Sequence, residues 1–347
     1  MSVTTSAAVP VEPAVAGPRP VALLLPGQGA QYQRMGAGLY PAEPAFSAAI
    51  DEVFEAFRDE GVRLRADWLA DRPGVPLDHV TRAQPLLFAV DYALARLLLS
   101  WGVRPAALLG HSMGELVAAT VAGVFGLADA AGLVLDRVRR AVQAPPGGML
   151  AVTAAPDELA ALLADDVVVG AVNAPRLTVL AGPDGPLDAV SARLRDRGYV
   201  CRRVPSLTPF HSPAMAAANR GAEEAVAALR TTPPAIPLYS AYTAAPLRPA
   251  EVADPGFWAR QPVAPVLFWP ALEALLASGD FVLVEAGPGQ ALTQLARRHP
   301  AVRAGRSVVA ALLPARPAPP EADRRSVRQV FEILRAEGHP VGGHAAR

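Results

Sequence analysis

The patterned part of the chain begins with an unbroken apolar run, Val21 to Leu25, that breaks into the loop Pro26-Gly27-Gln28-Gly29. A short apolar run bounded by turn formers reads as a strand buried on both faces. Helix-period patterns follow over about 44–58 and 84–101, then a second apolar strand over 103–109 and a helix over 112–125. Strands alternating with helices predict a parallel sheet covered on both sides. Chemistry in such sheets collects at the carboxyl ends of the strands, where both the Gln28 loop and the turn around Ser112 lie.

The pattern changes over 146–207. "GMLAV", "DVVVGAV", "RLTVLAG" and "YVCRRV" read as strands, and "PDELAALLA" and "PLDAVSARLRDRG" as helices. Their order is β-α-β-β-α-β, the ferredoxin-like unit. Alternating signals then resume: a helix near 214–230, the strand "AIPLYSA", a helix near 267–277, and the strand "FVLVEA" before the loop "GPGQ". The expected organisation is a loose leader over 1–20, a large α/β domain of 21–145 plus 208–313, and a small ferredoxin-like lobe over 146–207. A proline-rich linker and final helix complete it over 314–347. That helix carries Val327, Val330, Phe331 and Leu334 on one stripe, which must dock on something.

The length of 347 residues fits one large domain with an insert or two domains, and 52% apolar residues supply a sizeable core. Acidic and basic residues balance at 32 each, which argues against nucleic acid as the main partner. The single cysteine, Cys201, excludes an internal disulfide and fits a reducing cytoplasm. It sits in a strand-like run, which favours packing over nucleophilic chemistry. No run approaches the roughly 20 apolar residues of a membrane span, and the N-terminus lacks the basic start and apolar core of a secretory signal. A cytoplasmic monomer without membrane attachment is expected.

Ser112 lies in "GHSMG", where a strand-like run turns into a helix-like one. It fits two roles: a plain helix N-cap, or a nucleophile on a tight elbow where Gly110 and Gly114 permit close backbone approach. A serine nucleophile needs a base. His79, His299, His339 and His344 sit in polar loops, near helix ends or in the tail, where surface roles fit best. His111 adjoins Ser112, but successive residues rarely point together, so it reads as support for the elbow. His211 in "SLTPFHSPAM" remains, at the return from the small lobe, although a generic loop histidine is usually solvated. No H-x-x-x-H or C-x-x-C spacing supports a metal.

Five segments occur in the order and spacing of one family: "LLPGQGAQY", "RAQPLLFAVDYALARLLLSWGVRPAALLGHSMGELVAA", "PFHSPAM", "FWARQPVAPVLF" and "VEAGPGQALT". From about Val21 to Leu313 the chain resembles the malonyl-CoA:acyl-carrier-protein transacylases and the acyltransferase domains of polyketide synthases. The resemblance implies an α/β-hydrolase-like large domain with an inserted ferredoxin-like lobe. It also implies a Ser-His acyltransferase that works on acyl-CoA and an acyl carrier protein, with no cofactor beyond the coenzyme A thioester it consumes. Ser112 matches the nucleophile and His211 the base. Gln261 matches the residue whose backbone carbonyl orients the histidine. Gln28 matches the oxyanion-loop glutamine, whose neighbouring N–H should join that of Met113 at the tetrahedral oxygen.

Arg137, 25 positions after Ser112, matches the arginine that dicarboxylic-acyl members keep. A guanidinium forks onto a free carboxylate in a way lysine cannot copy; the plain alternative is an exposed helix arginine like Arg139 and Arg140. Malonyl-selective polyketide members usually carry phenylalanine before the catalytic histidine, where Phe210 stands here, which favours malonyl over a substituted malonyl; His111 borders the same acyl site. The attached linker and final helix favour polyketide over fatty acid supply. Competing readings are an esterase, which needs an acid between serine and histidine and an HGGG-type loop; an editing hydrolase, which tends to lose the arginine; transfer of a non-malonyl acyl group; and a domain that only docks a carrier. Acidic carriers would need a basic patch, and Arg202, Arg203, Arg297 and Arg298 are the candidates.

Overall fold

The computed structural model describes residues 17–163 and 166–342. The chain begins with β1 (Val21–Leu25), α1 (Pro44–Ala56), α2 (Asp59–Leu69), α3 (Val80–Ser100), β2 (Ala107–Gly110), α4 (Met113–Val121) and α5 (Leu127–Val142). Next come β3 (Gly147–Val152), α6 (Pro156–Leu159), β4 (Val168–Ala174), β5 (Leu177–Pro183), α7 (Asp184–Asp196) and β6 (Cys201–Arg203). After α8 (Ala222–Ala227), β7 (Leu238–Ser240) and β8 (Ala245–Pro246) lie α9 (Pro249–Ala253), α10 (Pro255–Arg260) and α11 (Phe268–Ala277). The last elements are β9 (Val282–Glu285), α12 (Ala291–Ala296), α13 (Pro300–Arg303), β10 (Val308–Ala311) and α14 (Pro320–Ala336).

Six strands form one sheet in the order β10-β9-β1-β2-β7-β8. Every neighbouring pair is parallel except β7 and β8. The two faces of β1 enter different cores: Val21, Leu23 and Leu25 pack on one side, Ala22 and Leu24 on the other. Burial on both faces is why the strand reads as a continuous apolar run rather than an alternating one. From β1 the chain steps outward to β2 and β7, then returns to β9 and β10 on the opposite side. The carboxyl end of β1 therefore lies at the reversal point, where open α/β sheets form a crevice.

Strands β3 to β6 form a second, wholly antiparallel sheet in the order β4-β5-β3-β6. Its outer face closes over its own core of Leu150, Leu159, Leu180, Leu187, Val190 and Leu194. Its inner face, with Met149, Ala171, Val179 and Ala181, shares a core with Leu109, Phe210 and Phe268 of the larger part. The half-buried, unpaired Cys201 packs at the edge of the small-sheet core.

Several element boundaries differ from the sequence expectations. Helix α3 starts at Val80 rather than 84, capped by the His79 ring, which accepts from the Thr81 N–H. Pro85 lies inside its opening turns, and the Thr81 carbonyl that would have taken the missing N–H accepts from Arg82 Nη1 at 3.0 Å instead. Helix α2 was not anticipated, because it buries only Gly61, Leu64 and Trp68. The 214–230 pattern divides into a 3-10 turn at Pro213–Met215 and the short α8, separated by Gly221 at φ 77°. By length and composition α3 could cross a membrane, contrary to the expectation that no run comes near. However, 83% of its apolar window is buried inside the protein.

Helix α14 docks through its stripe: Phe331 meets the Trp101 ring edge-on at 5.4 Å, and Asp323 accepts from the Gly38 N–H at 3.0 Å. Arg19 pairs with Glu337 at the end of that helix at 2.5 Å, and His339 Nε2 lies 2.9 Å from the Arg19 carbonyl. Residues 17–20 are thus held in place and not part of a loose leader; residues 1–16, like His344, lie outside the described residues.

Candidate active site

Ser112 stands between β2 and α4 with φ 55° and ψ −114°, a backbone conformation that a side chain adopts only under strain. It occupies the N-cap position of α4, yet its hydroxyl caps nothing. The plain capping role is therefore set aside. Glycine is required on both sides of the contact that supports this turn. A Cβ at Gly114 would lie 1.9 Å from the Leu25 carbonyl oxygen, and one at Gly27 would lie 2.4 Å from the His111 carbonyl oxygen. The loop after β1 and the turn after β2 are pressed together at their backbones.

The Ser112 hydroxyl is engaged by His211: Oγ and Nε2 are 2.7 Å apart. His211 also has positive φ, 63°, and its backbone N–H donates to the Pro262 carbonyl at 2.7 Å. Its Nδ1 faces two carbonyl oxygens, of Ala264 at 2.9 Å and of Gln261 at 3.2 Å. Carbonyls only accept, so Nδ1 carries the hydrogen and the Nε2 lone pair faces the serine. The orienting role expected of Gln261 is shared with Ala264, which is the nearer partner. Burial pushes the His211 pKa down to about 4; its carbonyl partners oppose this, and His111 and Arg137 add to the depression. The ring is neutral at physiological pH and free to accept a proton.

Met113 opens α4, where helix geometry leaves backbone N–H groups unpaired. Gln28, in the loop after β1, accepts on Oε1 from Gln84 Nε2 at 2.9 Å. Its own Nε2 is buried without a partner, and the residue lines the chamber that holds Ser112, Phe210 and His211.

Arg137, on α5, lines an adjoining chamber that shares Ser112, Phe210 and His211, together with Gln84, Met113, Tyr242 and Gln261. Its Nη2 donates to Gln261 Oε1 at 2.8 Å and to the Trp258 carbonyl at 3.0 Å. Both acceptors are neutral. Among the described residues no carboxylate reaches Arg137, whereas its neighbours Arg139 and Arg140 both pair with Asp136. Burial lowers its pKa, because the site solvates that charge poorly. Arg137 is thus a half-buried cation with no counter-charge in contact.

All eight residues singled out from the sequence meet in these two adjoining chambers: Gln28, His111, Ser112, Met113, Arg137, Phe210, His211 and Gln261. His111 places Nε2 2.9 Å from Asn173 Oδ1 on β4, which ties the elbow to the small sheet. Three further residues escaped the sequence reading. Asn173 had no local motif. Tyr242 follows β7 and stacks obliquely near His211, with ring centroids 6.2 Å apart. Glu115 sits one turn beyond Ser112, 3% exposed, and accepts from Ser240 Oγ at 2.6 Å and the Ala241 N–H at 3.0 Å. Burial pushes its pKa up to about 8 despite those donors.

A larger cavity of about 410 Å³ leads in between the two sheets and shares Gln28, His111 and Asn173 with the Ser112 chamber. Arg202 and Arg298 line it on opposite sides. Arg203, also expected in a basic patch, is instead occupied by Asp188 at 2.5 Å and Asp184 at 3.5 Å. Among the described residues no group of three or more His, Cys, Asp or Glu side chains is arranged to hold a metal ion.

A strained serine bonded to an oriented neutral histidine thus lies at the carboxyl ends of a parallel sheet, beside an inserted antiparallel sheet. Comparison with known proteins supplies the class. A family model described as acyl transferase domain matches residues 23–318, and the chain belongs to that family. It is 41% identical over 281 residues to a component of the phenolphthiocerol/phthiocerol polyketide synthase of Mycobacterium tuberculosis, covering 81% of this chain and 19% of that protein. It is 38% identical over 332 residues to polyketide synthase GfsA of Streptomyces halstedii, covering 92% of this chain and 4% of that protein. The chain therefore spans a fifth or less of the length of these two relatives. Among solved structures, the acyltransferase domain from the second module of the salinomycin polyketide synthase superposes with a TM-score of 0.84 at 34% identity, covering 94% of this chain and 75% of that one. FabD from Acinetobacter baumannii shares the fold, with a TM-score of 0.80 at 24% identity over 92% of this chain and 99% of that one. The chain is an acyltransferase domain, similar to those of polyketide synthases.

Proposed function

We propose that this domain moves a malonyl-type acyl group from coenzyme A to the phosphopantetheine thiol of an acyl carrier protein, in polyketide biosynthesis, through an ester on Ser112. The observation that carries the substrate class is Arg137, a half-buried cation held only by neutral acceptors beside the serine and histidine. Such a group is poised for a carboxylate brought in by substrate.

In the first half-reaction His211 Nε2 takes the Ser112 proton as Oγ attacks the thioester carbonyl carbon. The N–H groups of Met113 and the Gln28 loop stabilise the oxygen that becomes negative. The carbon–sulfur bond then breaks, and coenzyme A leaves as a thiol with the proton from His211. In the second half the carrier thiol gives its proton to the same nitrogen, and its sulfur attacks the ester. Ser112 recovers the proton as the acyl thioester departs. A pantetheine arm threaded through the 410 Å³ cavity reaches Ser112, and Arg137 receives the free carboxylate.

Mass spectrometry of purified protein mixed with malonyl-CoA tests this reading directly. One malonyl group should appear on Ser112, and the Ser112→Ala variant should take up none while remaining folded. Labelling of the alanine variant, or prompt hydrolysis of the acyl group with no transfer to any carrier, would defeat it.

A further inference from the structure

Gln261 uses every polar part of its side chain. Oε1 accepts from Arg137 Nη2 at 2.8 Å, and Nε2 faces Glu115 Oε1 at 3.4 Å. An amide can do this in one orientation only, because its oxygen accepts and its nitrogen donates. The Arg137 guanidinium has donors alone, so Gln261 must present oxygen to it. The group behind Gln261 must then be an acceptor. Glu115 is that acceptor, and it is itself fixed by Ser240 Oγ at 2.6 Å and the Ala241 N–H at 3.0 Å, both at the carboxyl end of β7.

We infer that Glu115 is a positioning residue for the acyl carboxylate: it locks the Gln261 amide so that Arg137 is held by a neutral oxygen with its charge left for substrate. This rests on the reading of the site as a malonyl-type transferase. A direct Glu115–Arg137 contact would occupy the guanidinium that the substrate needs. The intervening amide keeps the carboxyl one hydrogen bond away, while fixing the fork in place. Both ends of the relay belong to elements that also build the reaction centre. Glu115 is three residues beyond Ser112 on α4, and its N–H donates to the Ser112 carbonyl at 3.0 Å. The Gln261 backbone carbonyl is one of the two that face His211 Nδ1.

Glu115→Gln is close in shape but replaces an oxygen, which can accept from Gln261 whether or not it carries a proton, by an NH2 that only donates. With the remaining oxygen retained by the Ala241 N–H, the new NH2 faces Gln261 Nε2. The Gln261 amide then turns over and sets a donor against Arg137. The malonyl-to-acetyl ratio of kcat/KM should fall at least about tenfold, with most of the loss in the malonyl KM, as expected for a lost binding contact. Ser240→Ala, which removes one anchor and leaves the carboxyl, should move the ratio in the same direction by less, and it keeps the test alive if the glutamine variant does not fold. In an Arg137→Ala background Glu115→Gln should have no further effect on the ratio, the signature of action through one shared group. Equal losses for malonyl and acetyl, or an undiminished ratio in both variants, would overturn the inference. If Arg137→Ala itself left the ratio unchanged, the malonyl reading would be what failed.

Discussion

Ser112 and His211 lie 99 positions apart in the chain and meet at 2.7 Å, each with its backbone at positive φ. Both are non-glycine residues in a region that costs about 1–3 kcal/mol per residue. That strain is sustained by backbone contacts on each side: Gly27 and Gly114 against the serine turn, and Pro262, Ala264 and Gln261 against the histidine. The geometry is built by the fold before any substrate arrives.

His211→Ala should slow formation of the acyl-serine by at least about 100-fold, the lower range of positioned acid–base catalysis. Rapid-quench measurement of acyl uptake checks this, and rates within a few-fold of the parent would point to another base. Because burial holds the ring pKa at about 4, kcat/KM for acylation should stay flat as pH falls from about 7 to about 5.5. Its loss should come only as the ring protonates nearer 4. A limb centred near the ordinary histidine value of about 6.5 would contradict the depressed value.

Arg137→Ala removes the cation on which a malonyl carboxylate would rest. Breaking a buried charge pair commonly costs about 2–5 kcal/mol, so malonyl transfer should drop by roughly 30-fold or more at 1.36 kcal/mol per factor of ten. Acetyl-CoA has no free carboxylate, and its slow transfer should hold or rise. The ratio of the two kcat/KM values cancels general damage to the fold; a constant ratio would remove the malonyl assignment.

For the carrier, the structure narrows four candidate arginines to two. Arg202 and Arg298 line the cavity, Arg203 is neutralised by Asp184 and Asp188, and Arg297 is not part of the lining. Charge reversal at Arg202 or Arg298 should raise the KM for an acidic carrier and steepen with falling salt, since exposed charges act within about a Debye length. Reversal at Arg297 should do less. Equal effects from Arg297 and Arg298 in steady-state transfer assays would show that the cavity mouth is not the docking point.

Stability should fall as pH rises from about 6.5 to about 8 and level off above that. Glu115 and Glu285 are fully buried carboxyls whose pKa values burial raises to about 8 and about 7. A raised folded pKa means the folded state binds the proton more tightly. The stabilisation is complete below the unfolded value of about 4.3 and is lost as pH passes the folded value. His211 acts in the opposite sense, but only between about 4 and 6.5, below this window. Thermal unfolding across the interval should show a falling Tm with a shallower slope in Glu115→Gln; a rising Tm would reverse the sign assigned to these carboxyls.

Much of this protein was legible in its sequence because local interactions dominate those parts. The apolar runs of β1, β2 and β9, the β-α-β-β-α-β order over 146–207 and the glycines around Ser112 are short-range signals that packing did not override. Five ordered motifs pointed to an acyltransferase, and the carboxyl-end rule placed the Gln28 loop beside the serine turn. What the sequence left open was decided by contacts between distant segments. Whether Ser112 caps a helix or meets a base depended on His211 reaching it. The neutral state of His211 depends on burial and on carbonyls 50 and 53 residues away. Arg137 looks on paper like Arg139 and Arg140; it differs because Gln261 and Trp258 surround it with neutral oxygens while Asp136 takes its neighbours. Periodicity tells which face of an element is buried, but charge state and hydrogen-bond direction depend on what the other elements bring against that face.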